Sequence, residues 1–424
     1  MNPLTVYGER ARDAAIAMQG LGTARKNEAL ERMAALLEEE TPAILQANAA
    51  DVRMACEEGR NAAFIDRLML DAGRMRQVVA CVRKVASLPD PSGRILEEWN
   101  RPNGLIIRKV SVPIGVIGFI YESRGTVTCD AASLCVKAGN AVILRGGKES
   151  RRTNEVMIGA IRRALVESGL PEDAVQLVAG GGRDDVRQLC ELEDYVHVLI
   201  PRGGKGLVSA VSQYARMPVL KHLDGICHTY VDASARLEMA LDICDDAKTQ
   251  RPGVCNAMET LLVCRNIASE FLPRLAARME RRGVELRGCP ESLPLLGNTA
   301  SPASEEDWRT EYEDLILSVC IVDGLDAAIS HINRYGSHHS DAIVTEDAGA
   351  VKLFMTMVDS ACVYHNCSTR FSDGEEFGFG AEIGIGTGKL HARGPMGLRE
   401  LTTYKYEIEG SGQLKDHDRV RGME

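Results

Sequence analysis

Between Pro113 and about Leu220, short strand-like apolar runs alternate with amphipathic, helix-like stretches, and this rhythm restricts the fold more than any other feature. Val116-Ile117-Gly118-Phe119-Ile120, Ala141-Val142-Ile143-Leu144, Val175-Gln176-Leu177-Val178 and Val196-His197-Val198-Leu199-Ile200 are the strands. Helix-like stretches separate them, notably Thr153 to Ser168, which stops at Gly169 as helices commonly do. A strand–helix–strand order implies parallel neighbours, covered on both faces. The loops are glycine-rich: Arg145-Gly146-Gly147-Lys148, Gly180-Gly181-Gly182 and Arg202-Gly203-Gly204-Lys205-Gly206. None has GxGxxG or Walker A spacing. Glycine plus a cation beyond a strand end suits a phosphate-bearing cofactor; tight turns with solvated charges would leave the same pattern.

The flanking regions read differently. Leu30, Met33, Ala34 and Leu37 fall at i, i+3, i+4 and i+7, an apolar stripe on one helical face. Ile95–Trp99 and Leu105–Val110 flank Pro102-Asn103-Gly104, a hairpin signal. A second α/β unit runs from about Arg251 to Gly380, with strands at 260–263, 315–319, 341–344 and 362–364 and a long loop from Gly288 to Ser304. Residues 401–408 form a further strand. A lone hairpin and a lone strand would expose edges, so they should pair with each other or with a second subunit.

A chain of 424 residues exceeds one compact core, so two or more domains are expected. The formal charge of −10, without a local Lys/Arg cluster, excludes the electrostatic footprint of a nucleic-acid binder. No signal-peptide pattern or membrane-length apolar run occurs. Thirteen cysteines without CxxC pairs fit reduced thiols in a cytoplasmic enzyme better than a disulfide framework or a metal site.

One cysteine stands apart. Lys248-Thr249-Gln250-Arg251-Pro252-Gly253-Val254-Cys255-Asn256 places Cys255 on a turn between a helix and a strand. Backbone N–H groups there can stabilise a thiolate or an oxyanion. Turn chemistry alone would equally allow a cysteine that simply packs beneath the turn.

The stretch KTQRPGVCNAMETLLV resembles the nucleophile segment of the γ-glutamyl phosphate reductase family, a branch of the aldehyde dehydrogenase superfamily. VPIGVIGFIYESR, AVILRGGKES, HLDGICHTYVD, the run from STRFSDGEEFGFG to GPMGL, and LTTYKY match the same family in order. The likeness extends from the N-terminal helices to about Gly412. It implies an α/β, aldehyde dehydrogenase-like fold: two Rossmann-like α/β domains plus a β-hairpin/C-terminal oligomerisation arm. The expected limits are 1–93 and 113–250 for an NADP-binding domain, 251–380 for a catalytic domain, and 94–112 with 395–424 for the arm.

The resemblance also implies roles. Cys255 is the nucleophile, with Asn256 beside it. Superfamily members that hydrolyse their thioester carry an ELGGK motif whose Glu activates water; the matching stretch here is His222-Leu223-Asp224-Gly225-Ile226, 33 residues before the cysteine. His222 thus replaces a base that a reductase does not need; phosphate contact, proton transfer and a purely structural histidine are its alternatives. Where NAD-preferring relatives place a ribose-binding Glu, this chain has Lys148, after Arg145, and both would attract a 2′-phosphate, favouring NADP(H). Gly203 and Gly204 join the cofactor site, and Glu311 is similar in position to the ribose-holding Glu. Ser123 and Arg124 take the acyl-phosphate position, although the family's RPNVT reads Arg124-Gly125-Thr126-Val127-Thr128 here. Arg370, in Ser368-Thr369-Arg370-Phe371, would bind the substrate α-carboxylate; an inter-domain salt bridge is its alternative.

The expected function is NADPH-dependent reduction of γ-glutamyl phosphate to glutamate 5-semialdehyde through a Cys255 thioester, in proline biosynthesis. The expected enzyme is a cytoplasmic homo-oligomer without metal, membrane or nucleic-acid partner, and glutamate 5-kinase is the protein partner to test. A coenzyme A-acylating aldehyde dehydrogenase and a non-catalytic nucleotide-binding paralogue are the rivals.

Overall fold

A computed structural model describes residues 2–122, 125–178, 180 and 182–415. The chain forms two units, one of residues 1–219, 380–383 and 396–424, the other of residues 220–379 and 384–395.

In the first unit, five helices precede the sheet: Thr5–Met18, Thr23–Glu39, Thr41–Glu57, Ala62–Leu68 and Ala72–Ser87. The stripe of Leu30, Met33, Ala34 and Leu37 is buried, which is why this charged segment holds a helix. Four parallel strands follow: β3 (Val116–Tyr121), β4 (Ala141–Arg145), β5 (Val175–Leu177) and β6 (Val198–Arg202), after the hairpin strands β1 (Ile95–Asn100) and β2 (Ile106–Pro113). Their order is β5-β4-β3-β6. Every residue of β3 and β4 is buried, as expected for strands covered on both faces. The chain runs from β3 through β4 to β5 on one side, then returns to place β6 on the other. The loops leaving β3 and β6 therefore diverge at a topological switch point.

The hairpin and the tail find each other. β1 pairs antiparallel with β2, and the tail strand Thr402–Glu409 pairs along the other edge of β2. Arg108 on the central strand bonds Glu98 at 2.5 Å and Glu409 at 2.7 Å, joining all three strands.

The second unit holds a seven-stranded parallel sheet: β7 (Cys227–Val231), β8 (Met258–Cys264), β9 (Glu285–Gly288), β10 (Ser301–Pro302), β11 (Ile316–Val322), β12 (Ser340–Val344) and β13 (Cys362–His365). The order is β10-β9-β11-β8-β7-β12-β13, so β8 is central. Leu261 and Val263 enter one core with Phe271 and Val319. Leu262 and Cys264 enter the other with Tyr230 and Phe354. That alternation fixes the strand's register, because a one-residue slip would exchange the two faces.

Three features differ from the sequence expectation. The units divide at 219/220 rather than 250/251, because β7 pairs with β8 and β12 and so belongs to the second sheet. The arm clusters with the first unit instead of standing as a separate body. The segment 288–304, read as a loop, contains the short helix Leu293–Leu296 and β10.

Candidate active site

The helix Leu237–Thr249 ends just before Arg251-Pro252-Gly253, and β8 begins at Met258. Cys255 sits on the intervening turn, half-buried rather than sealed. Proline cannot continue the helix and the glycine frees the chain to turn. The turn is tied on several sides. The Thr369 hydroxyl donates to the Asn256 carbonyl at 2.7 Å, and the Asn256 side-chain amide donates to the Arg370 carbonyl at 3.1 Å. The buried Cys227 thiol donates to the Cys255 carbonyl at 3.2 Å. Gly225 lies so close that a Cβ there would come within 2.6 Å of the Cys255 carbonyl carbon. Only glycine permits that approach.

The groups around this turn set its charge. The Arg370 guanidinium is half-buried and donates through Nε and Nη2 to the Gln250 amide oxygen at 3.1 and 3.0 Å. Burial lowers its pKa, offset by the charges of Asp373, Asp246 and Cys255. Its hydrogen-bond partner is thus a neutral amide, and the charge remains available to an anion. Glu311 accepts a hydrogen bond from the Gly225 N–H; burial, with Glu313 and Asp224 nearby, raises its pKa. His222 Nδ1 meets the Ile385 carbonyl at 3.2 Å, and its ring stands edge-on to His339 at 5.8 Å. Donation from Nδ1 leaves Nε2 as the acceptor of the neutral ring. The second unit therefore brings together Cys255, Asn256, Arg370, Glu311 and His222.

The first unit carries the other expected residues. A cavity of about 760 Å³ lies at the C-terminal ends of β4 and β5, with Lys148, Gly180 and Gly182 in its lining. Arg145 is only 8% exposed and donates from Nη2 to the Gly182 carbonyl at 2.7 Å. It braces the loop beneath the cavity, whereas Lys148 reaches into solvent. At the switch point, the Glu122 carboxylate accepts from the Gly204 N–H at 2.9 Å, at the start of the helix Lys205–Tyr214. A Cβ on Gly203 would come within 2.6 Å of that carboxylate, which would have to swing aside. Ser123 and Arg124 lie outside the described residues. Gly125 opens the helix Thr126–Ala138 at φ −58°, a value that the family's proline would also adopt.

The aldehyde dehydrogenase family model matches residues 7–287. The γ-glutamyl phosphate reductase of Moorella thermoacetica is 54% identical over 96% of this chain and 97% of its own length. That of Nitratidesulfovibrio vulgaris is 50% identical with the same coverages. The crystal structure of γ-glutamyl phosphate reductase from Thermotoga maritima aligns with a TM-score of 0.96 at 43% identity, covering 97% of this chain and 99% of that one. The chain belongs to the γ-glutamyl phosphate reductase branch of the aldehyde dehydrogenase family. An acetylating aldehyde dehydrogenase from Geobacillus thermoglucosidasius shares the fold, at 15% identity and a TM-score of 0.66.

Enzymes of the aldehyde dehydrogenase family are oxidoreductases that use a nicotinamide cofactor. No helix among the described residues is long and apolar enough to cross a membrane. Four residues that hold these candidate segments escape a local sequence reading: Gly225, Cys227 and Thr369 around the Cys255 turn, and Glu122 against the glycine loop. Gly225 and Cys227 flank Ile226 just after His222, and Thr369 adjoins Arg370, so each neighboured a residue already singled out.

Proposed function

We propose that the chain reduces γ-glutamyl phosphate to glutamate 5-semialdehyde with NADPH, releasing phosphate, as one step of proline biosynthesis. The observation that carries this reading is the Cys255 turn: a half-buried thiol ahead of the central strand, with the Arg370 guanidinium near it and hydrogen-bonded to the neutral Gln250 amide. Relatives at 43–54% identity, all γ-glutamyl phosphate reductases, support the substrate.

The Cys255 thiolate attacks the acyl carbon, the C–O bond to phosphate breaks, and phosphate departs with the electron pair, leaving a thioester. The backbone N–H of the Cys255 turn is the donor for the oxyanion. The hydrogen bonds from Thr369 and Cys227 keep that turn in one geometry, and Asn256 acts with them through position. Arg370 takes the substrate α-carboxylate, a planar bidentate task. Ser123 and Arg124 remain the proposed acyl-phosphate contacts.

The residues of the first unit fit a phosphorylated dinucleotide: a roomy cavity past β4, an exposed cation in Lys148, and the glycine loop Gly203-Gly204 at the switch point. When bound, NADPH supplies the hydride that reduces the thioester carbon. Collapse of the resulting tetrahedral adduct breaks the C–S bond, releases the aldehyde and restores the Cys255 thiolate without a net proton. Arg145 holds the Gly182 loop, and Glu311, fixed by the Gly225 N–H, serves the nicotinamide-side ribose. His222, its Nδ1 anchored to the Ile385 carbonyl, stands in place of the water-activating Glu. That suits an enzyme whose thioester must survive until reduced.

The exposed Ile95, Tyr406 and Ile408 on the three-stranded arm support self-association through that sheet. Thirteen free thiols fit a reducing cytoplasm. Association with glutamate 5-kinase, which makes the unstable substrate, belongs to the same reading.

The test runs in reverse: reduction of NADP⁺ by glutamate 5-semialdehyde should require inorganic phosphate. Cys255→Ser should lower the rate by about a thousandfold or more while nucleotide binding persists. A requirement for coenzyme A instead would establish the acylating reading, and nucleotide binding without turnover in the wild type would establish a non-catalytic paralogue.

A further inference from the structure

The cavity at the end of β4 holds acids as well as cations, and how they pair decides what can enter. The buried Asp51 carboxylate accepts from the Thr153 N–H at 2.9 Å and hydroxyl at 2.8 Å, and meets Arg152 at 3.3 Å. Arg151 pairs with Glu155 at 2.8 Å, one helical turn along. Lys148 pairs with Glu58 at 3.4 Å, the longest of the three cation contacts, with the lysine side chain 58% exposed. Lys148 thus lines the cavity in an exposed pair that an entering anion can open.

Glu58 is placed to need a cation. It caps the C-terminus of the helix Thr41–Glu57, where the backbone carbonyls already concentrate negative potential. It has two: Lys148 at 3.4 Å and Arg60 at 3.5 Å. Arg60 also reaches Glu149 at 3.4 Å. If Lys148 turned away, Arg60 would keep Glu58 partnered.

We propose that Glu58 tempers phosphate binding at the nucleotide site. It holds Lys148 until a phosphate on the adenosine ribose displaces it, so that the phosphate contact forms only against the loss of the carboxylate pair. A hydroxyl cannot outcompete a carboxylate for an ammonium group, whereas a phosphate carrying close to two negative charges can. This rests on assigning the cavity to the adenosine end of NADP(H). An exposed pair of this kind is worth about a two- to fivefold change in affinity.

Calorimetric titration of the full chain with adenosine 2′,5′-bisphosphate and with adenosine 5′-monophosphate tests the proposal without turnover. Glu58→Gln should tighten the bisphosphate about two- to fivefold at low salt and leave the monophosphate unchanged, with the gain shrinking as salt rises. Unchanged or weaker bisphosphate binding, or equal tightening of both ligands, would overturn it. Lys148→Met separates the layers. If the preference for the bisphosphate survives that change, the cavity assignment itself is wrong and Glu58 falls with it. If Lys148→Met abolishes the preference while Glu58→Gln does nothing, only the role of Glu58 is lost.

Discussion

Lys248 and Glu259 meet at 2.6 Å with both side chains sealed from solvent, one just before the Cys255 turn and the other just after it. The ion pair closes the base of the loop that carries the nucleophile. Burial lowers the lysine pKa and raises that of the glutamate, each opposed by the partner's charge.

Removing one partner should therefore be severe. Lys248→Met leaves an uncompensated buried carboxylate and is expected to cost about 3–5 kcal/mol, whereas Lys248→Met with Glu259→Leu should recover most of it. The single variant's defect should shrink as pH falls and Glu259 takes up a proton. Chemical denaturation of both variants across pH checks the expectation; a double variant as unstable as the single one would refute it.

Gly225→Ala drives a methyl group into the Cys255 peptide. The turn must shift, at about 1–3 kcal/mol, and the reaction rate should fall at least tenfold because misplacement at the reacting atom is punished steeply. Affinity for adenosine 2′,5′-bisphosphate should hold, since Lys148 lies in the other unit. A kcat within twofold of wild type would show that the close approach is not needed.

Exchange of Lys148 for Glu should move coenzyme preference toward NADH by about tenfold, through loss of one phosphate contact and gain of a ribose acceptor. The ratio of kcat/KM for the two coenzymes is the measure, and an unchanged ratio discards the 2′-phosphate assignment.

His331 packs against Trp308, Tyr335 and His228, and burial pushes its pKa down to about 3, with His228 and Arg334 adding to the shift. Above the ordinary histidine value the ring is neutral whether folded or unfolded, so its stabilising contribution is fully present there. As pH falls from about 6.5 toward 3 the unfolded chain binds a proton that the fold refuses. Stability then drops by up to about 1.4 kcal/mol per pH unit from this group. Thermal melting of His331→Phe between pH 7 and 5 should show a shallower decline than wild type; parallel curves would contradict the assignment.

Much of this architecture is legible in the sequence because it rests on local signals. The four strands of the first sheet are short, mostly apolar runs, the stripe from Leu30 to Leu37 has helical period, and Pro252-Gly253 marks the nucleophile turn. β7 is hard to read locally because Cys227-His228-Thr229-Tyr230-Val231 mixes polar with apolar residues; the strand exists because β8 and β12 flank it. For the same reason the boundary between the units has no local signal. Arg145 and Lys148 look alike as cations three residues apart, yet one is buried under a loop and the other faces solvent. Gly225 against Cys255, and Glu122 against Gly203, are approaches between segments distant in the chain, which no local pattern encodes.

The arm joins β2 to a strand that begins almost three hundred residues later. At synthesis rates of about 5–20 residues per second, the hairpin emerges from the ribosome roughly 15 to 60 seconds before its third strand exists. Throughout that interval β2 offers an open row of backbone donors and acceptors to any neighbouring nascent chain, so the youth of the molecule, not its mature state, is when it is most exposed to mispairing.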